Sequence, residues 1–185
     1  GAVTWKEKEG VDFEKLYKTY QILSLHGQTK DAFAKNQLGA WEYDILEPAY
    51  KCNMTDIQAS IGLAQLNRYE DLLKRRQEII TRYNQALKNK KVTVLPHVSE
   101  KAVSSGHLYI TRIDGISSEQ RNEIILKMAE KGIATNVHYK PLPMLTAYRN
   151  LGYKMEDYPN SYDFFKNEIT LPLYTKLTDE QVEYV

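Results

Sequence analysis

The chain of 185 residues carries 25 Lys and Arg against 24 Asp and Glu, a net charge of +1, so a nucleic acid or an anionic membrane would have to be held by a local patch and not by a global field. Its 42% hydrophobic and 26% charged residues are an ordinary globular mixture, enough for one domain or two small ones, and exclude wholesale disorder. The single cysteine excludes an internal disulfide framework and a Cys-rich zinc site and fits a reducing compartment, and no run approaches the roughly 18 apolar residues of a membrane span.

Gly1-Ala2-Val3-Thr4-Trp5 reads as a strand already under way, with no initiator Met and no signal-peptide layout. Residues 11–25 set Phe13, Leu16, Tyr20 and Leu23 at helical spacing, and His26-Gly27 supplies the stop, because glycine enters the left-handed C-cap conformation cheaply. Residues 28–50, with Gly39, Trp41 and Pro48, lack a period and form a long loop. Thr55 and Gln58 make a capping box, with Asp56 in the first turn. From there Ile57, Ile61, Ala64, Tyr69, Leu72, Ile79, Ile80, Tyr83 and Leu87 recur near a 3.6 period, which predicts one helix to about Leu87 with a bend within Lys74-Arg75-Arg76. Some 30 helical residues span about 45 Å, the length of a bridge between domains or of a dimer surface. The stretch Ala59–Ala64 is apolar nearly all round and is expected to be buried on more than one side.

After a Lys-rich turn at 88–91, strands are expected at 92–95 and Leu108–Ile113. A helix opened by Ser117 and Gln120 and closed by Gly132 follows, and then a strand at Ile133–Tyr139. This is a strand–helix–strand unit that packs a helix on a sheet. Short helices near 144–150 and 160–168 lead to a strand at Ile169–Tyr174. Thr178 and Gln181 cap a last helix that stops about one turn later at Val185. The two ends are read as those of a piece of a longer protein. The expected organisation is 1–50 as the end of a larger domain with an active-site loop, 51–88 as the long helix, and 89–185 as a small α+β domain.

No Gly-rich phosphate loop, metal-ligand spacing or nucleophile elbow occurs in the sequence. Of the four histidines, His138 is the best candidate for a site, at a strand end before a proline-containing loop and beside Tyr139 and Lys140. The second candidate is Tyr50-Lys51-Cys52-Asn53. It places a phenol, an ammonium and an amide just ahead of a helix N-terminus, where backbone N–H groups and the dipole favour anions. The alternative there is a loop with one solvent-facing lysine. Fourteen tyrosines against four phenylalanines leave many rings with a hydroxyl, as in sites that handle sugars or phosphates, although core tyrosines account for most. The residues alone support an anion-binding fragment without a complete catalytic apparatus.

The run from Tyr50 to Leu66, YKCNMTDIQASIGLAQL, closely resembles the Gly-Tyr-(Asn/Lys)-Tyr-(Arg/Asn)-Met-x-(Asp/Glu)-x-Gln-Ala-Ala-x-Gly-x-x-Gln-Leu signature of the DegT/StrS sugar aminotransferases. Collinear stretches agree. Gly1-Ala2-Val3 is similar to the end of a strand downstream of the family's cofactor lysine. Leu25-His26-Gly27 with Asp31-Ala32-Phe33 is similar to the branch that makes 4-amino-4-deoxy-arabinose. His107-Leu108-Tyr109, Gly132-Ile133, Val137-His138-Tyr139-Lys140-Pro141, Leu171-Pro172-Leu173-Tyr174 and Leu177-Thr178 complete the series.

The resemblance implies an α/β protein, the α+β C-terminal part of a fold-type I pyridoxal-phosphate transferase. It has a long bridging helix, a small α+β domain and an incomplete large domain. It implies pyridoxal 5′-phosphate as cofactor, with the Schiff-base lysine and its acidic partner upstream of Gly1, and so no catalytic residue within the chain. It further implies glutamate and a nucleotide-linked keto-sugar as substrates, a homodimer with shared sites, a cytoplasmic location, and no metal, nucleic acid or membrane. Lys51 occupies the position that reaches the cofactor phosphate of the other subunit. Asn53 occupies one that contacts substrate, with Asn in place of the commoner Arg as a subclass mark. Tyr50, His138 and Tyr139 are the further substrate-facing positions. Ala49 for Gly and Cys52 for Tyr are departures from the signature. The rival reading is a helix-mediated interaction module, and a dehydratase is the alternative within the family.

Overall fold

The computed structural model describes residues 2–29 and 43–185, which fall into two units, Gly1–Asn67 and Arg68–Val185. Gly1, Asp31, Ala32, Phe33, Gly39 and Trp41 of the expected motifs lie outside the described residues. The boundary between the units falls inside the segment 51–88 expected as one element.

In the first unit, helix α1 (Phe13–Ser24) starts where the Asp12 carboxylate accepts the Lys15 N–H at 3.0 Å. Residues 2–8 form no strand. Trp5 instead lies against the aromatic stripe of α1, stacked on Phe13 and Tyr20 with centroids 6.3 and 5.7 Å away. The helix stop is as expected: His26 and Gly27 are both left-handed, at φ 60° and 75°, and the Gly27 N–H returns to the Ile22 carbonyl at 2.9 Å. A β-carbon at Gly27 would sit 1.9 Å from the Glu47 carbonyl oxygen, so the turn admits glycine alone. Beyond it the chain pairs with residues 44–52. Cys52 N–H donates to Ser24 O (2.9 Å), His26 N–H to Tyr50 O (3.1 Å), Leu46 N–H to Gly27 O (2.9 Å) and Thr29 N–H to Asp44 O (2.9 Å).

Helix α2 (Asp56–Leu66) carries the expected capping box of Thr55 and Gln58. The single long helix does not form: α2 ends at Leu66 and α3 begins at Tyr69 (Tyr69–Leu87). The interruption falls at Asn67-Arg68 and not at Lys74–Arg76, which lie within α3. Asn is a poor interior residue because its amide competes for nearby backbone groups, and Arg68 opens α3 without a side-chain cap. The expected burial of α2 is not met either. Ile57 is 75% and Ile61 60% exposed, with Leu63 and Leu66 similarly open, because no described element of the first unit covers them.

The second unit is built on an antiparallel sheet in the order β1 (Val92–Val94), β2 (Tyr109–Ile113), β3 (Glu168–Leu171). Val92 pairs with Ile113, and Tyr109 with Leu171. Helix α3 lays Ile79, Ile80 and Tyr83 against Tyr109, Leu177 and Val182 to form the core, which α7 (Asp179–Tyr184) closes. Two core phenols find acceptors: Tyr83 Oη donates to Pro172 O at 2.9 Å and Tyr109 Oη to Asn84 Oδ1 at 2.8 Å. Burial pushes the Tyr83 phenol up to about 12, so it remains a donor. Asp179 ties α7 to Arg75 at 2.9 Å and also to Arg82. Helix α4 (Ser118–Glu130), with its Ser117–Gln120 capping box, and α6 (Pro159–Lys166) contact one another, and α4 also meets β3. Between them runs the short helix α5 (Thr146–Asn150).

The expected strand Ile133–Tyr139 is extended chain with one bridge, Asn136 to Thr170. The next donors are diverted from the ladder: Val137 N–H goes to the Asn136 side chain at 2.8 Å, and His138 N–H to the Glu168 carboxylate at 2.9 Å. Strand β3 begins one residue before the expected Ile169 and ends at Leu171, before Pro172, which has no N–H to give. Among the described residues no helix is long and apolar enough to cross a membrane.

Candidate functional site

The sequence candidates fall in both units, Tyr50, Lys51 and Asn53 in the first and His138 and Tyr139 in the second. In the first unit, Lys51 sits opposite Leu25 in an isolated antiparallel bridge. The left-handed turn at His26-Gly27 makes this pairing possible by reversing the chain at the end of α1. Tyr50 (86% exposed), Lys51 and Asn53 are all open to solvent. The capping box behind them consumes the amides of Thr55 and Gln58, with bonds of 3.0 and 3.3 Å. It does not use those of Asp56 and Ile57. An ammonium group thus precedes by five residues a helix N-terminus whose first-turn amides are outside the cap, which suits a phosphate monoester or another anion. Among the described residues no group of His, Cys, Asp and Glu could hold a metal ion.

In the second unit, His138 is half-buried and Tyr139 is 73% exposed. Their rings meet edge to face at 4.7 Å. The imidazole is held from behind. Its Nδ1 lies 2.9 Å from Thr170 Oγ1, and the Thr170 hydroxyl donates to Glu168 Oε1 at 2.5 Å. Glu168 is fully buried. Next to it the buried Arg121 guanidinium donates to the Glu168 and Phe165 carbonyls at 3.0 and 3.1 Å and stacks on the Phe165 ring at 4.6 Å. Burial lowers the Arg121 pKa while the Glu168 charge opposes that fall. A buried cation and a buried carboxylate therefore support one another behind the histidine.

Sequence reasoning singled out His138 and Tyr139 but not their neighbours Glu168, Thr170, Asn136 and Arg121. These lie up to 32 residues from His138, and no period or local motif links them to it. Of the other three histidines, His26 belongs to the turn after α1 and His97 stacks on Tyr109 at 5.5 Å. Tyr148, Tyr153 and Tyr158, with Leu142, Pro143 and Ser161, line a cavity of about 300 Å³ beyond the His138 loop. These are three of the tyrosines whose abundance stands out in the composition.

Residues 10–185 match the DegT/DnrJ/EryC1/StrS aminotransferase family. The chain is 39% identical over 175 residues to the uncharacterized protein MJ1066 of Methanocaldococcus jannaschii, covering 92% of this chain and 45% of the relative. It is 36% identical over 181 residues to the spore coat polysaccharide biosynthesis protein SpsC of Bacillus subtilis, covering 94% of this chain and 46% of the relative. Among solved structures, the putative sugar aminotransferase Spr1654 from Streptococcus pneumoniae in its PMP-form matches at 61% identity and a TM-score of 0.90, over 98% of this chain and 45% of that one. The chain thus spans less than half the length of these relatives. Its mixed helix-and-sheet architecture is that of fold-type I sugar aminotransferases over that share.

Proposed function

The chain belongs to the DegT/DnrJ/EryC1/StrS aminotransferase family, and from this premise we propose that it serves a pyridoxal-phosphate enzyme moving an amino group from glutamate to a nucleotide-linked keto-sugar. The observation that carries the reading is the collinear match over residues 10–185, which includes the Lys51–Asn53 approach to a capped helix. The Streptococcus pneumoniae protein is also solved in a PLP-form, matched at 57% identity, and the Bacillus subtilis relative is a spore coat polysaccharide biosynthesis protein.

When bound, the cofactor supplies the stabilisation of negative charge on carbon that amino transfer needs. The residues of this chain supply binding and orientation. Lys51 offers a point charge to the cofactor phosphate, with the first-turn amides of α2 behind it. Tyr50 and Asn53 flank that position and face substrate, and the Lys51–Asn53 pair supports a reading beside the arabinose-type branch. His138 and Tyr139 offer an imidazole edge and a phenol to the nucleotide-sugar. In this reading the lysine that carries the cofactor belongs to the part of the protein outside this sequence, so the 185 residues alone are inactive. The exposed Ile57, Ile61, Leu63 and Leu66 of α2 would be covered by that part and by a second subunit in a cytoplasmic homodimer with shared sites.

The test is a two-step assay on the full-length protein. Glutamate should discharge the visible absorbance of the bound cofactor, and a nucleotide keto-sugar should restore it with release of an amino-sugar. His138→Ala should raise KM for the sugar nucleotide more than it slows the glutamate step. A dehydrated sugar product would move the protein to the dehydratases. A full-length protein that takes up no cofactor would favour the interaction module that the bare α2 face also suits.

A further inference from the structure

We infer that Glu168 and Thr170 are positioning residues that hold His138 as the Nδ1–H tautomer, so that its Nε2 meets a ligand as a hydrogen-bond acceptor and the group it takes is a hydroxyl. The argument is an accounting of protons along a chain of contacts. A carboxylate can only accept. Glu168 Oε2 accepts the His138 backbone N–H at 2.9 Å, and Oε1 faces the Thr170 hydroxyl at 2.5 Å. The buried Arg121 guanidinium, bonded to the carbonyl of the same Glu168 residue, balances the carboxylate charge. The Thr170 hydroxyl has one proton, and it is spent on Glu168. Its oxygen, 2.9 Å from His138 Nδ1, can then only accept, so the ring proton sits on Nδ1.

The other edge of the ring gives the same answer independently. The Asn136 amide oxygen accepts the Val137 N–H at 2.8 Å, which turns the Asn136 NH₂ toward His138 Nε2, 3.5 Å away. A donor aimed at Nε2 fits an unprotonated nitrogen. At that length the contact is weak, and Nε2 remains able to accept a shorter bond from a ligand. The fold sets both arms, because Asn136 and Thr170 pair backbone to backbone, Asn136 N–H to Thr170 O at 3.2 Å and Thr170 N–H to Asn136 O at 2.8 Å. Both edges of the ring are thereby tied to the one backbone pairing that joins Asn136 to β3.

A neutral Nε2 acceptor discriminates between the parts of a sugar nucleotide. It accepts from a sugar or ribose hydroxyl, whereas a phosphate oxygen would require a proton on Nε2. The ligand half of this inference rests on the amino-transfer reading, and the tautomer half does not. Long-range proton–nitrogen spectra of the chain with ¹⁵N-labelled histidine separate the two, since they need neither cofactor nor substrate. His138→Gln assigns the signal. Near neutral pH the expected spectrum has Nδ1 in the protonated, pyrrole-like range and Nε2 in the unprotonated, pyridine-like range. Thr170→Ser should keep that pattern. Thr170→Val, and Glu168→Gln, whose amide can turn a donor toward Thr170, should move the ring toward Nε2–H. A proton on Nε2 in the unmutated chain, or a ring indifferent to both Thr170→Val and Glu168→Gln, would overturn the assignment. Inorganic phosphate should leave the Nε2 signal in place, and phosphate-induced protonation there would refute the hydroxyl half. In the full-length enzyme, Thr170→Val should raise KM for the sugar nucleotide several-fold with a smaller change in kcat, and Thr170→Ser should restore it.

Discussion

Gly27→Ala isolates how much the turn after α1 contributes to presenting Lys51. Two costs add at this position. The first is conformational: φ is 75°, and an L-residue in the left-handed region costs about 1–2 kcal/mol. The second is steric, because the new β-carbon would lie 1.9 Å from the Glu47 carbonyl oxygen, more than 1 Å inside the roughly 3.3 Å of a carbon–oxygen contact. Backbone cannot rotate away as a side chain would, so the segment 44–52 must retreat. It then loses the Leu46-to-Gly27 and Thr29-to-Asp44 bonds, both 2.9 Å, each worth about 1 kcal/mol net. Gly132 is the control: its φ is 77° and nothing lies within 4 Å of an added β-carbon. Gly132→Ala should therefore cost only the conformational part, about 1–2 kcal/mol, and Gly27→Ala about 2 kcal/mol more. Urea unfolding gives the difference, and hydrogen exchange at the Leu46 and Thr29 amides locates it. Equal costs for the two variants, with Leu46 and Thr29 protected as before, would refute the argument.

Lys51→Ala in the full-length protein should weaken cofactor retention about 10- to 150-fold, the equivalent of a charge-assisted contact of about 1.5–3 kcal/mol. Lys51→Asn should recover part of it, and unchanged affinity in the alanine variant would leave Lys51 a solvated residue. Ile79, fully buried, should cost about 2–5 kcal/mol on truncation to Ala, read from the urea midpoint. A cost under 1 kcal/mol would mean that the core between α3 and β2 is loosely packed. Asp179 is held below the usual carboxylate range chiefly by its hydrogen bond to Arg75 and then by the Arg82 charge, and Asp163 by Lys166 and then Arg112. A lowered folded pKa stabilises fully above the unfolded value of about 3.9 and is lost as pH falls through the folded one. Thermal midpoints should accordingly drop in that acid window, less steeply in Asp179→Asn. An identical slope in the variant would remove Asp179 from the account.

What could be read from sequence was what is encoded within one turn. The capping boxes at Thr55, Ser117 and Thr178 all form, each joining residues three apart. The stop at His26-Gly27 is likewise local. The continuous helix to Leu87 failed for the opposite reason. Its apolar period runs through Asn67-Arg68 without a break, yet periodicity records which face is apolar and not whether the backbone joins. The bare apolar face of α2 shows the same limit, because pattern predicts that a face wants cover and not which chain supplies it.

The site divides along the same line. His138 was visible because it precedes a proline-containing loop, but the group that orients it comes from β3, and a strand partner 32 residues away leaves no trace in local spacing. The expected strand Ile133–Tyr139 and the missed role of Glu168 are one error. A strand over Ile133–Tyr139 assigns its N–H groups to backbone partners in a ladder. In the structure those donors go to side chains, Val137 to Asn136 and His138 to Glu168. A buried carboxylate at the first position of a strand, as Glu168 is, is costly unless it is bonded and balanced by charge. Here one donor it takes, the His138 N–H, is one that the ladder lacks, the other is the Thr170 hydroxyl, and the charge is that of Arg121. At His138 the loss of regular pairing and the fixing of the imidazole therefore share one cause, a buried acceptor that takes the backbone N–H and orients the ring through Thr170.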